Sequence, residues 1–212
     1  MKTDDLIRAI AQDATPTGLR PQTSLALALA GGVAAAALLF SLLLGPRDDA
    51  VASLDQLRFL LKFAVTLGLA AAAFGLVQQL ARPGSSAGLW RSALLLAPGL
   101  LLIGIAGELL ALPEERWLAA LVGVNARTCL TYIPLMGVAP LGLILLALRR
   151  GAPTRPGLAG AVAGLIAGGI SAAFYASHCP DDSPLFVATW YVLAIAMLVA
   201  LGAVLGRRLL RW

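Results

Sequence analysis

Six apolar runs, each long enough to cross a bilayer, constrain this chain more than any other feature. The hydrocarbon core of a membrane is about 30 Å thick, a distance a helix covers with roughly 20 residues. The runs occupy about 24–45, 60–81, 91–112, 128–148, 157–178 and 184–206. Between them stand GPRDD, ARPGSS, LPEER, RRGAPTRP and HCPDDSP, short breaks rich in glycine, proline or charge. In lipid a backbone must satisfy its own N–H and C=O groups, which a helix does within one segment. The expected fold is therefore all-α, a polytopic bundle of six transmembrane helices. Arg58 and Lys62 are expected to flank the second span and delay its start. The short connections leave no room for a large extramembrane domain. They frame a cytoplasmic N-terminal segment (1–23), a transmembrane domain (24–206) and a basic tail (207–212).

Composition agrees, with 59% hydrophobic and only 13% charged residues, against about 25% charged in soluble domains. A net charge of +5 could suggest nucleic acid, but in a membrane protein basic residues gather at the cytoplasmic helix ends. With the N-terminus inside, the cytoplasmic segments hold Lys2, Arg8, Arg20, Arg82, Arg91, Arg149, Arg150, Arg155, Arg207, Arg208 and Arg211. The outer segments hold Arg47, Arg58, Lys62, Arg116 and Arg127. Both termini are thus expected to be cytoplasmic, with the lipid bilayer as a partner and no direct nucleic-acid contact. The opening MKTDDLIRAIAQDATPTGLRP lacks the apolar centre of a cleavable signal. Insertion through the chain's own helices is expected.

This orientation puts both cysteines, Cys129 and Cys179, at the outer membrane surface although they are fifty residues apart. Three readings stay open. They are small apolar residues near helix ends, a static disulfide, or a responsive thiol pair that binds a soft metal ion or becomes oxidised. Three details favour response. His178 adjoins Cys179 and can serve as a third metal ligand, or lower the thiol pKa when protonated. Asp181 and Asp182 give the loop a negative field that attracts cations. The loop also lies at the aqueous surface, where ions can arrive. Against response, two cysteines and one histidine make a sparse site and no CxxC is present. No cofactor is expected to be obligatory, and a soft metal ion would act as a signal.

Other residues are marked by their surroundings. Gly160, Gly164 and Gly168 share one face of the fifth span at a spacing that lets helices approach closely in lipid. Pro134 and Pro140 lie within the fourth span, where each removes a backbone donor and favours a kink. Glu108, near the outer end of the third span, reads either as part of a transport path or as a group reaching the headgroups. Arg149, Arg150 and Arg155 border an inner loop and are expected to meet lipid phosphates, with a cytoplasmic protein as the alternative. In the N-terminal segment, Thr3 can cap a helix over about 4–13 whose first turn carries Asp4 and Asp5. Leu6, Ile7 and Ile10 share one face of it. Ten residues are marginal alone, and so few basic side chains favour a protein partner over anionic lipid.

Together, the MKTDDLIRAIA start, CLTYIPL, RRGAPTRPGLAGAVAGLIAGG and SHCPDDSPLFVATWY resemble the NrsF-type membrane anti-sigma factors of proteobacteria. The resemblance spans essentially the whole chain. It implies a protein that holds an extracytoplasmic-function sigma factor inactive at the bacterial inner membrane and releases it when periplasmic cysteines meet metal or oxidative stress. The family's cysteine pair maps onto Cys129 and Cys179. The N-terminal segment is shorter than the usual helical sigma-binding domain. The expected sigma-factor contact is therefore the small helix with Asp4, Asp5, Leu6, Ile7 and Ile10, the inner loops, or both. A homo-oligomer is compatible with the same features.

Two other classes compete. A small transporter for metal or another solute would route its cargo past Glu108, His178 and the cysteines, and would need polar groups deep in the bundle. A membrane thiol oxidoreductase generally relays electrons through a CxxC or a second cysteine pair, which this chain lacks. The expectation is a signalling protein rather than an enzyme.

Overall fold

A computed structural model describes residues 3–5, 7–8, 20–81, 88–151 and 153–211. Among these, all regular structure is helical. Six long helices follow in chain order: α1 (Pro21–Leu43), α2 (Leu57–Leu80), α3 (Gly88–Ala111), α4 (Ala126–Leu148), α5 (Pro156–His178) and α6 (Pro184–Leu209). Each has the length and apolar composition to cross a membrane. Three of them open on a proline, Pro21, Pro156 and Pro184, at a position where the missing N–H would have no helical partner anyway. The chain leaves α1 through Gly45, whose φ of +73° is a conformation that glycine adopts without strain. Helix α3 is interrupted at residues 94–95, where Pro98 has no N–H to offer the Leu94 carbonyl. Helix α6 contains a π-helical stretch, Val187–Tyr191. A short helix, Trp117–Val122, lies between α3 and α4.

The boundaries follow the apolar runs closely, with one instructive difference. Helix α2 begins at Leu57, so Arg58 and Lys62 lie inside it rather than before it. Lys62 is only 1% exposed. Its ammonium is neutralised by the protein and has no need of the surface.

Helix α5 is the centre of the bundle. Some 72% of its apolar window is buried, against 17% for α3, the outlying helix. Glycine makes this centre tight. A Cβ on Gly160 would strike the Gly202 carbonyl oxygen of α6, and one on Gly164 the Leu198 carbonyl oxygen. The two backbones therefore touch, the arrangement small residues permit between helices in lipid. Gly168 faces the Ile195 side chain of α6. On the other flank, a Cβ on Gly169 would lie 2.8 Å from the Thr66 carbonyl oxygen of α2. Pro134 and Pro140 lie within α4, which is helical throughout, and Pro140 packs against Gly32 of α1.

Thr3, Asp4, Asp5, Ile7 and Arg8 are helical and exposed. Ile7, at 59% exposure, is an apolar side chain the bundle leaves uncovered. Leu6, Ile10 and the rest of the expected N-terminal helix lie outside the described residues.

Candidate functional site

The connections α1–α2, α3–α4 and α5–α6 meet at one end of the bundle, and both cysteines are there. Cys129 lies in the first turn of α4, its N–H donating to the Asn125 carbonyl at 2.9 Å. Cys179 is the first residue beyond α5, its N–H donating to the Tyr175 carbonyl at 3.0 Å. Both are free thiols and wholly buried. They share one apolar cluster with Ile133, Tyr175, Phe186 and Tyr191. Tyr191 is buried in this cluster beside the two thiols. Burial pushes the Cys179 thiol above its ordinary pKa, and the nearby Lys62 charge only partly offsets this. Since the thiolate is the nucleophile and metal ligand, Cys179 is held in its less reactive form while the loop stays closed.

What closes the site is the sequence CPDDSP, whose consecutive residues each address a different element. The Asp181 carboxylate accepts hydrogen bonds from the Val124 N–H at 3.1 Å, the Asn125 N–H at 2.9 Å and the Asn125 side-chain amide at 3.1 Å. It thereby fixes the two residues that lead into α4, one turn before Cys129, with the negative charge suited to a position beside a helix N-terminus. Asp182 pairs with Lys62 of α2 at 2.5 Å and with Arg47 of the first connection at 2.9 Å. The same two cations donate to the Cys179 carbonyl, Lys62 at 2.8 Å and Arg47 at 3.3 Å. Ser183 caps α6 by accepting from the Leu185 and Phe186 N–H groups, and donates its hydroxyl to Glu108 of α3 at 2.7 Å. Arg47 also donates to Ser53, pairs with Asp49 and lies over the Phe59 ring. Five residues of loop thus tie together α2, α3, α4, α6 and the first connection.

The geometry rearranges several expectations. The three side chains proposed as a metal set, Cys129, Cys179 and His178, are not gathered as ligands. The His178 ring is engaged with the Gly45 carbonyl through Nδ1 at 2.9 Å, and no group of three potential ligands is assembled among the described residues. His178 is the last helical residue and Cys179 the first outside the helix, so neighbours in sequence part in space. Glu108, read as a transport or headgroup residue, is 3% exposed. It holds the start of α6 by accepting from Ser183 and from the Leu185 N–H at 3.2 Å, and pairs with Arg58 at 3.4 Å. Lys62 was missed as a site residue. The signals that could have found it are a lysine inside an apolar stretch and an Asp-Asp pair in a loop at the same depth.

Midway along the bundle, the buried hydroxyls of Thr66 and Ser171 donate to carbonyls of their own helices, Lys62 and Ala167. Neither is free to line a polar path. The cavity between α2, α3 and α6, about 340 Å³, is walled by apolar side chains such as Val65, Leu69, Ala97, Leu101 and Ile195.

Comparison with known proteins places this architecture. The family model described as "Negative regulator of sigma F" matches residues 10–212. The chain is 38% identical, over the full length of both proteins, to the anti-sigma-F factor NrsF of Caulobacter vibrioides. It is 36% identical, again over both full lengths, to the probable anti-sigma-F factor NrsF of Azospira oryzae. Neither relative is named as an enzyme. No solved structure matches the chain. A family match over nearly every residue, with relatives aligned end to end, accounts for the chain as a whole: it belongs to the NrsF family of negative regulators of sigma F.

Proposed function

We propose that this protein retains an extracytoplasmic-function sigma factor at the bacterial inner membrane and releases it when Cys129 and Cys179 are modified on the far side. The sigma-factor role rests on the family and its relatives. The observation that carries the sensing role is the burial of two free thiols, distant in sequence, in one cluster beneath a charged loop. A soft metal ion bridging the sulfurs would displace their two protons. Oxidation to a disulfide would pass two electrons to the oxidant and release the same protons. Either event changes a packed cluster, and packed clusters respond by switching rather than by yielding gradually. Moving a two-state equilibrium from 1:99 to 99:1 takes about 5.5 kcal/mol of differential binding, within reach of metal–thiolate bonding.

Orientation with both termini cytoplasmic is supported by the arginine asymmetry. It is reinforced by pairing, since Arg47, Arg58 and Lys62 at the thiol end are all engaged by carboxylates. The sigma factor would then meet the N-terminal helix through Asp4, Asp5, Leu6, Ile7 and Ile10, with the inner loops beside it. The metal acts as signal and not as resident cofactor.

Cys129→Ser and Cys179→Ser are each expected to abolish induction by metal or oxidant in a sigma-dependent reporter strain, with the chain still in the membrane. A normal response in both variants refutes the sensing role. Because the native thiols are buried, topology is better tested with Val51→Cys, at an 81% exposed position, in a cysteine-free background. An impermeant maleimide should label it in whole cells, and labelling only after lysis would reverse the orientation. Removing residues 1–13, or changing Leu6 and Ile7 to Asp, is expected to lower sigma-factor co-purification several-fold and raise basal transcription. Undiminished retention would move the contact to the inner loops.

A further inference from the structure

We propose that Lys62 is the positioning residue through which the thiol loop controls α2, so that the signal leaves the site along that helix. This rests on the sensing role argued above. The Lys62 ammonium is 1% exposed and its partners belong to the loop, Asp182 at 2.5 Å and the Cys179 carbonyl at 2.8 Å. Its other neighbour is the Phe59 ring, 5.4 Å away. A buried cation is tolerated only while its counter-charge and acceptors stay in place. One of those acceptors belongs to the sensor cysteine itself, so a change at Cys179 that turns residue 179 and lifts Asp182 with it leaves the ammonium without both partners. Helix α2 must then move to carry Lys62 toward water.

The surroundings make this an all-or-none event. One turn beyond Lys62, the Thr66 hydroxyl donates to the Lys62 carbonyl at 2.7 Å, and the Thr66 carbonyl abuts Gly169 of α5. Helix α2 is thus fixed on α5 next to the ion pair and cannot yield by small degrees. Its far end, Leu80, lies at the opposite end of the bundle, where the described N- and C-terminal helix ends are. Arg47 holds the same carboxylate and carbonyl from the first connection and stiffens the loop without belonging to a spanning helix.

The test compares Lys62→Met, Lys62→Arg and the double variant Lys62→Met/Asp182→Leu, in native and in Cys129→Ser/Cys179→Ser backgrounds. The readouts are sigma-dependent transcription, membrane protein level and the rate of Cys179 alkylation by N-ethylmaleimide in membranes. Lys62→Met leaves Asp182 with Arg47 as its one cation and unties the loop from α2, and should raise basal transcription roughly tenfold or more, in both backgrounds. Lys62→Arg should stay repressed. The double variant removes the Lys62–Asp182 pair while Arg47 keeps Asp49 and the Cys179 carbonyl, so it should accumulate and repress normally. It should then fail to induce under stress even though its thiols are still modified. Induction of the double variant as in wild type overturns the proposal, as does unchanged basal transcription in fully accumulated Lys62→Met. If Lys62→Met fails to accumulate, the double variant decides. Normal induction of the cysteine-free chain would refute the sensing role alone, while derepression by Lys62→Met in that background would still support control of α2.

Discussion

Gly160→Leu is expected to remove folded protein from the membrane. The new side chain would enter the space held by the Gly202 carbonyl and the Gly206 Cα, both backbone. Backbone cannot rotate aside as a side chain can, so the two helices must separate along their length. Overpacking costs about 1–3 kcal/mol where side chains can adjust and more where they cannot, and the loss is concentrated in the helix that forms the centre of the bundle. Fluorescence-detected size exclusion of detergent-solubilised protein should show a collapsed monodisperse peak and a lower melting temperature. Gly68→Ala is the control. Nothing lies within 4 Å of its Cβ position, and alanine favours a helix by about 0.5–1 kcal/mol over glycine. Equal behaviour of the two variants would mean that α5 and α6 are not in backbone contact.

Glu108→Ala should be the next most damaging change. It strips the acceptor from the partly buried Ser183 hydroxyl and leaves the Leu185 N–H with the Ser183 oxygen alone. Leaving the hydroxyl unsatisfied costs about 1–3 kcal/mol. Glu108→Gln keeps an acceptor oxygen and gives up chiefly the Arg58 pair, whose cation is half exposed and contributes little. Thermal melting should therefore rank the proteins wild type, then Gln close behind, then Ala well below. Matching losses for Gln and Ala would show that the charge, rather than the cap on α6, is what matters.

The ranking also shows what the sequence could and could not reveal. Apolar run length located six helices, because the thickness of lipid leaves little freedom in how long a span must be. Glycine spacing on the fifth span indicated close approach, and the common depth of Cys129 and Cys179 indicated that they belong to one end. Lys62 and Glu108 were misplaced for one shared reason. A charge in an apolar run reads as the edge of the membrane unless its counter-charge is known, and here the partners lie in a loop far along the chain. His178 misled in the opposite sense, since adjacency to Cys179 suggested shared coordination. The end of α5 sends the two side chains to different neighbours, the histidine to Gly45.

Helix α4 has no side-chain cap from its own N-cap residue; the two residues leading into it, Val124 and Asn125, are held by Asp181 of the last connection. During synthesis the first four spans therefore enter the bilayer before the residues that cover Cys129 and the carboxylate that holds the entry to its helix. Only when the final hairpin arrives do Tyr175, Phe186 and Tyr191 complete the cluster around the sulfur. A nascent chain stalled before Asp181 would carry a thiol open to premature chemistry, so maturation of the site is tied to delivery of the last pair of spans.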